Sequence, residues 1–163
     1  MPYSKRSLET EKLEDVSRKA ELNLIFVKLG GTEGVAQLSQ NLFRLNSQDS
    51  RINMYFDAAF KDRFERMFVR FMTGILGGDP YNRRSMVKAH RRIGALTDEH
   101  FDAFQENLSI VLKQHGLITA DHDFLLTQIE PTRNDVIGKS TCPHLNTISE
   151  KPSSQQGCAC TIQ

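Results

Sequence analysis

The sequence predicts an all-α protein: one helical domain followed by a polar tail. Apolar residues recur at spacings of three and four in successive segments, and glycines and prolines punctuate those segments. No stretch alternates apolar and polar residues convincingly, as a half-buried strand would. The chain has 163 residues, enough for one domain when about 100–200 residues make one. It is 39% hydrophobic and 25% charged, ordinary values for a chain that buries a core.

Residues 4–21 hold five basic and five acidic side chains, with Leu8, Leu13 and Val16 as the sizeable apolar ones. The segment 1–21 therefore reads as a charged N-terminal extension, a solvated helix or a frayed arm. The domain is expected over 22–130. It opens with the apolar run Leu22 to Leu29, which breaks at Gly30-Gly31. Thr32 then reads as a helix N-cap, with Glu33 in the first turn, where negative charge suits the helix dipole. Val35, Leu38, Leu42, Phe43 and Leu45 give that helix its apolar face, and Asn46 to Ser50 reads as a loop. Tyr55-Phe56 marks an irregular corner.

The strongest helical pattern follows. Phe60, Phe64, Met67, Phe68, Phe71, Met72, Ile75 and Leu76 repeat at three and four, while Lys61, Asp62, Arg63, Glu65, Arg66 and Arg70 fill the other side. Gly77-Gly78 ends it, and Asp79-Pro80 opposes a restart. A short helix is expected from Ser85 to Arg92, ended by Gly94. Thr97 caps a longer one with Phe101, Phe104, Leu108, Val111 and Leu112 on its buried face, and Gly116 stops it. Thr119 opens a last helix, with Phe124, Leu125 and Ile129, that Pro131 ends. From 131 to 163 the composition turns to Thr, Asn, Ser, Pro and Gln, and a flexible tail is expected because too little apolar surface remains to offset its ordering entropy.

Several function classes are disfavoured at this level. The formal net charge is +1, so no overall basic field favours nucleic acid. Leu22 to Leu29, interrupted by Asn23 and Lys28, falls far short of the roughly 20 residues of a membrane span. The charged first twenty residues do not resemble a signal peptide. The three cysteines, Cys142, Cys158 and Cys160, all lie near the C-terminus and supply no disulfide framework for a core, which fits a reducing, cytoplasmic setting. One number is skewed: there are ten Phe and no Trp, and eight of the Phe fall between Phe43 and Phe104.

The glycine pairs Gly30-Gly31 and Gly77-Gly78, the corner Tyr55-Phe56, Pro80-Tyr81, Arg84-Ser85-Met86, Lys88-Ala89-His90 and Thr97 to Asp102 together resemble the truncated haemoglobins, most closely their group I. The resemblance spans roughly residues 29–128. It implies a two-over-two helical sandwich that holds haem b (iron protoporphyrin IX), with His90 as the proximal iron ligand. It places Phe56 at the corner position that wedges against the porphyrin. It places Phe43 where many members carry a Tyr that donates to bound dioxygen, and Phe64 and Phe68 on the distal helix. Met67 falls at a site that supplies a sixth ligand in some relatives. Met86 lies on the proximal side, as do Arg84, Lys88 and Arg91, among which a propionate partner is expected. His100, His115, His122 and His144 lack metal-ligand spacing and read as surface positions.

The departure at Phe43 has a consequence that chemistry alone supplies. Bound dioxygen draws partial negative charge, and a distal donor stabilises it by about 1–3 kcal/mol. Without one, diatomic ligands (O2, NO, CO) are expected to bind at an apolar site, with dioxygen held poorly. Gas binding, sensing or nitric oxide chemistry is then favoured over dioxygen storage. The alternatives are a His90/Met67 haem for one-electron transfer and a nitric oxide dioxygenase served by an external reductase. A haemless helical interaction module is a further one, and His90 argues against it.

The chain ends Cys160-Thr161-Ile162-Gln163, which fits the C-a-a-X prenylation signal with a terminal Gln that favours farnesyl. Cys158 could take a palmitoyl group, the second signal that stable membrane anchoring requires.

Overall fold

The computed structural model describes residues 3–139, with side chains from residue 9 onward. The first helix, α1 (Tyr3–Lys28), is continuous. The charged segment and the apolar run that the sequence separates are one element, because no glycine or proline interrupts them before Gly30. Its inner side buries Leu22 and Ile25, and Leu29, just past its end, is buried as well.

Gly30 and Gly31 turn the chain with φ of +91° and +67°, a region that favours glycine. They lead into α2 (Gly31–Gln48). The cap of α2 is Gly30 in the left-handed conformation, so Thr32 lies within the first turn instead of capping it. Gly34 is required for a different reason. A Cβ there would run into the carbonyl oxygen of Leu29, so the end of α1 and the start of α2 can approach this closely only without a side chain.

Helix α2 continues through residues expected to form a loop. Asn46 is fully buried, and its Oδ1 accepts from Asn107 Nδ2 at 3.0 Å, while the same nitrogen donates to Asp49 Oδ2 at 3.0 Å. Arg51 donates to Asp49 through Nε and Nη2, holding its carboxyl well below the usual carboxylate range. Polar residues that look like a loop in sequence are thus the far end of a buried helix. Two short 3-10 turns (Asn53–Tyr55 and Ala58–Phe60) form the corner, and Phe56 sits between them.

The Phe-rich helix α3 (Lys61–Leu76) buries Phe68, Met72, Ile75 and Leu76. A short helix α4 (Arg83–Arg91) follows, capped by Asn82, whose Oδ1 accepts from the Ser85 amide at 2.9 Å. Then come α5 (Asp98–Gln114), opened by a Thr97/His100 capping box, and α6 (Thr119–Ile129). Helices α2 and α3 pack together, as do α5 and α6, and the two pairs meet across α2 and α5. That is the two-over-two arrangement. Leu38, Leu42, Met72, Leu76, Leu108, Leu112 and Leu125 fill the space between the pairs and lie wholly out of solvent.

Residues 131–137 depart from the flexible tail expected of them. Pro131 sits in the first turn of a 3-10 helix (Glu130–Thr132), which runs into α7 (Arg133–Val136). Thr132 and Asp135 are buried, and Val136 and Ile137 pack on the core. Arg133 lies over the Phe101 ring at 4.5 Å and pairs with Glu130 and Asp102. The compositional reading missed this because the segment is held by a few long-range contacts, not by an apolar stripe of its own.

Candidate haem site

Helix α4 has only nine residues, too few to be stable alone, so its position depends on what grips it. The grip comes from α7. Tyr81 Oη donates to Asp135 Oδ2 at 2.6 Å, and Arg83 Nε donates to Asp135 Oδ1 at 2.8 Å. The carboxylate they share is 2% exposed. Burial, and then the neighbouring Asp135, push the Tyr81 phenol up to about 12, so it stays a proton donor throughout the neutral range. Sequence reasoning missed this anchor. The available signals were Pro131, which is common at a helix start, and the apolar pair Val136-Ile137.

On α4, Met86, Val87 and His90 are turned inward, with Val87 fully buried, while Arg84 and Lys88 are exposed. His90 is half-buried, and its Nδ1 lies 2.9 Å from the carbonyl oxygen of Met86. A carbonyl only accepts, so this contact places the ring proton on Nδ1 and leaves the Nε2 lone pair for a metal. Burial lowers the imidazole pKa below its ordinary value, which also favours the neutral, ligating form. No group of three His, Cys, Asp or Glu that could cage a metal occurs among the described residues. His90 thus offers one oriented nitrogen, which suits a metal whose other ligands are not protein side chains. That donor fits haem iron.

Four aromatic rings from three separate elements converge. Phe43 on α2 lies 5.8 Å from Phe56 at the corner and 5.6 Å from Phe64 on α3. Phe56 meets Phe64 edge-on at 5.3 Å, and Phe64 stacks on Phe68 at 5.5 Å. Phe68 in turn meets Phe104 of α5 at 6.3 Å. None of these side chains carries a hydrogen-bond donor. Tyr55 adjoins Phe56 in sequence, but its ring packs edge-on against His100, 5.2 Å away.

The remaining candidates divide. Met67 is 48% exposed and stands outside the core cluster, so the structure does not bring it among the rings. Phe71 packs on the core, and Phe60 is half-buried beneath the Arg63 guanidinium. Arg84 and Lys88 have no ion-pair partner among the described residues, and Arg91 is exposed beside them. Three histidines have structural roles in place of the expected bare surface. His122 is buried, with Nε2 at 2.7 Å from Ser109 Oγ and Nδ1 at 2.7 Å from Asp123 Oδ1. His100 closes the cap of α5, and His115 bonds Asn41. His144, Cys142, Cys158 and Cys160 lie outside the described residues.

A family model for bacterial-like globins matches residues 24–137, more than two thirds of the chain and all the elements from α2 to α7. The chain belongs to the truncated haemoglobin family. The group 1 truncated haemoglobin of Tetrahymena pyriformis is 32% identical over 116 residues, covering 71% of this chain and 95% of that protein. The group 1 truncated haemoglobin GlbN of Synechocystis sp. is 32% identical over 102 residues, covering 59% and 81%. The 2/2 haemoglobin of Synechococcus sp. PCC 7002, solved in the cyanomet state with covalently attached haem, superposes with a TM-score of 0.63 at 31% identity. It covers 70% of this chain and 98% of that one. In this truncated haemoglobin α7 falls inside the matched region, consistent with its anchoring of α4, whereas α1 begins 21 residues ahead of it.

Proposed function

We propose that this truncated haemoglobin holds haem b through His90 Nε2 and takes diatomic ligands on the side lined by Phe43, Phe56, Phe64 and Phe68. The observation that carries the reading is the His90–Met86 contact, which fixes a neutral imidazole with one free nitrogen. When bound, haem supplies an iron centre that takes up small gases reversibly. The protein's own residues do the rest. Met86 orients the imidazole, the Tyr81–Asp135–Arg83 anchor holds α4 in place, and Arg84 and Lys88 offer cations to the propionates. The phenylalanines exclude water and present no donor to a bound ligand.

A pocket without a donor favours gas binding or sensing, or nitric oxide chemistry with an external reductase, over dioxygen storage. No observation favours an electron carrier, because Met67 is turned to solvent. Absorption spectra of the ferric, ferrous and carbon monoxide forms test the reading. A Soret band and a five-coordinate ferrous spectrum are expected without added ligand. Protein that stays colourless when supplied with haem overturns the proposal, and a six-coordinate ferrous form overturns the open distal side.

For the tail, we propose farnesylation of Cys160 with Cys158 as a palmitoyl site, giving a cytoplasmic protein that associates with membranes. The support is the C-terminal Cys160-Thr161-Ile162-Gln163 itself. Intact mass from a eukaryotic host should show a gained prenyl group and the loss of the last three residues. An untrimmed, unmodified C-terminus counts against it.

A further inference from the structure

Helix α1 has a second apolar face. Leu13, Val16, Ala20, Leu24 and Val27 follow one another at intervals of three and four, a spacing that aligns them along one side of the helix. All are exposed: Leu13 71%, Val16 63%, Leu24 54% and Val27 71%, with Ala20 between them. These four large side chains are half of the eight exposed large hydrophobics among the described residues, so they form a patch instead of a scatter. The ion pair between Lys28 and Asp121 sets the start of α6 beside the end of α1. The buried side of α1, with Leu22 and Ile25, points the opposite way.

Between residues 12 and 21 the edges of this face are charged with opposite signs: at 100° per residue, Lys12 and Lys19 flank one edge and Glu14 and Glu21 the other. Lys28, further along the glutamate edge, is paired within the chain to Asp121. Lys12, Glu14 and Glu21 have no ion-pair partner among the described residues, while Lys19 lies 3.2 Å from Asp15 at the same edge. Two such helices laid face to face and parallel set each lysine edge against a glutamate edge. Laid antiparallel, they set lysine against lysine and glutamate against glutamate. An anionic membrane would attract one edge and repel the other. The pattern is complementary to itself in one orientation.

We propose that this face of α1 is a homodimer interface, covered in solution by the same face of a second copy running parallel to it. The globin domains lie on the outer sides of the pair, because each α1 meets its own domain through the opposite surface. The contact is isologous, as twofold symmetry requires. From Leu13 to Val27 the seam is about 21 Å long, shorter than the 3–4 heptads of a free-standing coiled coil, so the dimer is weak and depends on concentration.

Sedimentation equilibrium on the full-length, haem-loaded chain from a bacterial host, under reducing conditions, tests this. A monomer–dimer equilibrium is expected. Val16→Glu with Leu24→Glu, both exposed and harmless to the core, should raise the dissociation constant at least tenfold and, at dilutions where the parent is monomeric, leave the helical signal and melting temperature unchanged. Lys12→Glu alone and Glu14→Lys alone should each weaken the dimer, and their equimolar mixture should restore it. Three results overturn the proposal: a monomer at every concentration, a dimer indifferent to Val16→Glu with Leu24→Glu, or a dimer unaffected by Lys12→Glu. So does a monomer that instead binds phosphatidylserine vesicles through this face.

Discussion

Replacing His90 with alanine should strip the protein of its Soret band under conditions where the parent chain stays coloured. Loss of a residue that merely supports a metal ligand typically costs about 10–100-fold in metal affinity. Removing the only oriented nitrogen donor on α4 should therefore weaken haem retention by more than about 100-fold. The nearby cations add little to offset this, since Arg84 and Lys88 are exposed and such charges are worth little in water. The fold itself should survive. His90 is half-buried, and the hydrogen bond it forfeits is one to a backbone carbonyl within its own helix. His90→Gly supplemented with free imidazole should regain the band, which separates loss of a ligand from loss of structure. An unchanged pigment in His90→Ala would remove the basis of the haem assignment.

The same side chain shows where sequence and structure divide the information. The motif around residue 90 was legible, as was the Phe-rich pattern of α3, because both are local: spacings of three and four state which side is buried before any partner is known. What holds α4 was not legible. Arg83 meets Asp135 across 52 positions, and Asn107 meets Asn46 across 61. Asp135 lies in a stretch whose composition reads as tail and Asn46 in one that reads as loop, while Asn107 sits within an expected helix as one more polar residue. A buried carboxylate or amide looks like any surface residue until its distant partner is known, which is also why His122 was misread. The aromatic cluster lay between these cases. Its members could be placed by resemblance, but their mutual contacts required the corner between α2 and α3 to fold back.

Phe43→Tyr is expected to slow dioxygen dissociation by roughly 10- to 100-fold, at 1.4 kcal/mol per decade, and to change carbon monoxide dissociation far less. Phe43 is 6% exposed and touches Phe56 and Phe64, so a hydroxyl added to its ring enters an environment without acceptors. Burying it unpaired costs about 1–3 kcal/mol, and the unliganded variant should melt at a lower temperature accordingly. Dioxygen draws more negative charge than carbon monoxide and would give that hydroxyl the partner it lacks, so the stabilisation appears selectively when dioxygen is bound. The two ligands thus act as each other's control. A general tightening or blocking of the pocket would move both rates together, and a hydrogen bond moves only one. Stopped-flow displacement of each ligand from parent and variant measures the difference. Equal shifts for both gases, or no shift for dioxygen, would show that the ring of Phe43 does not face the bound ligand.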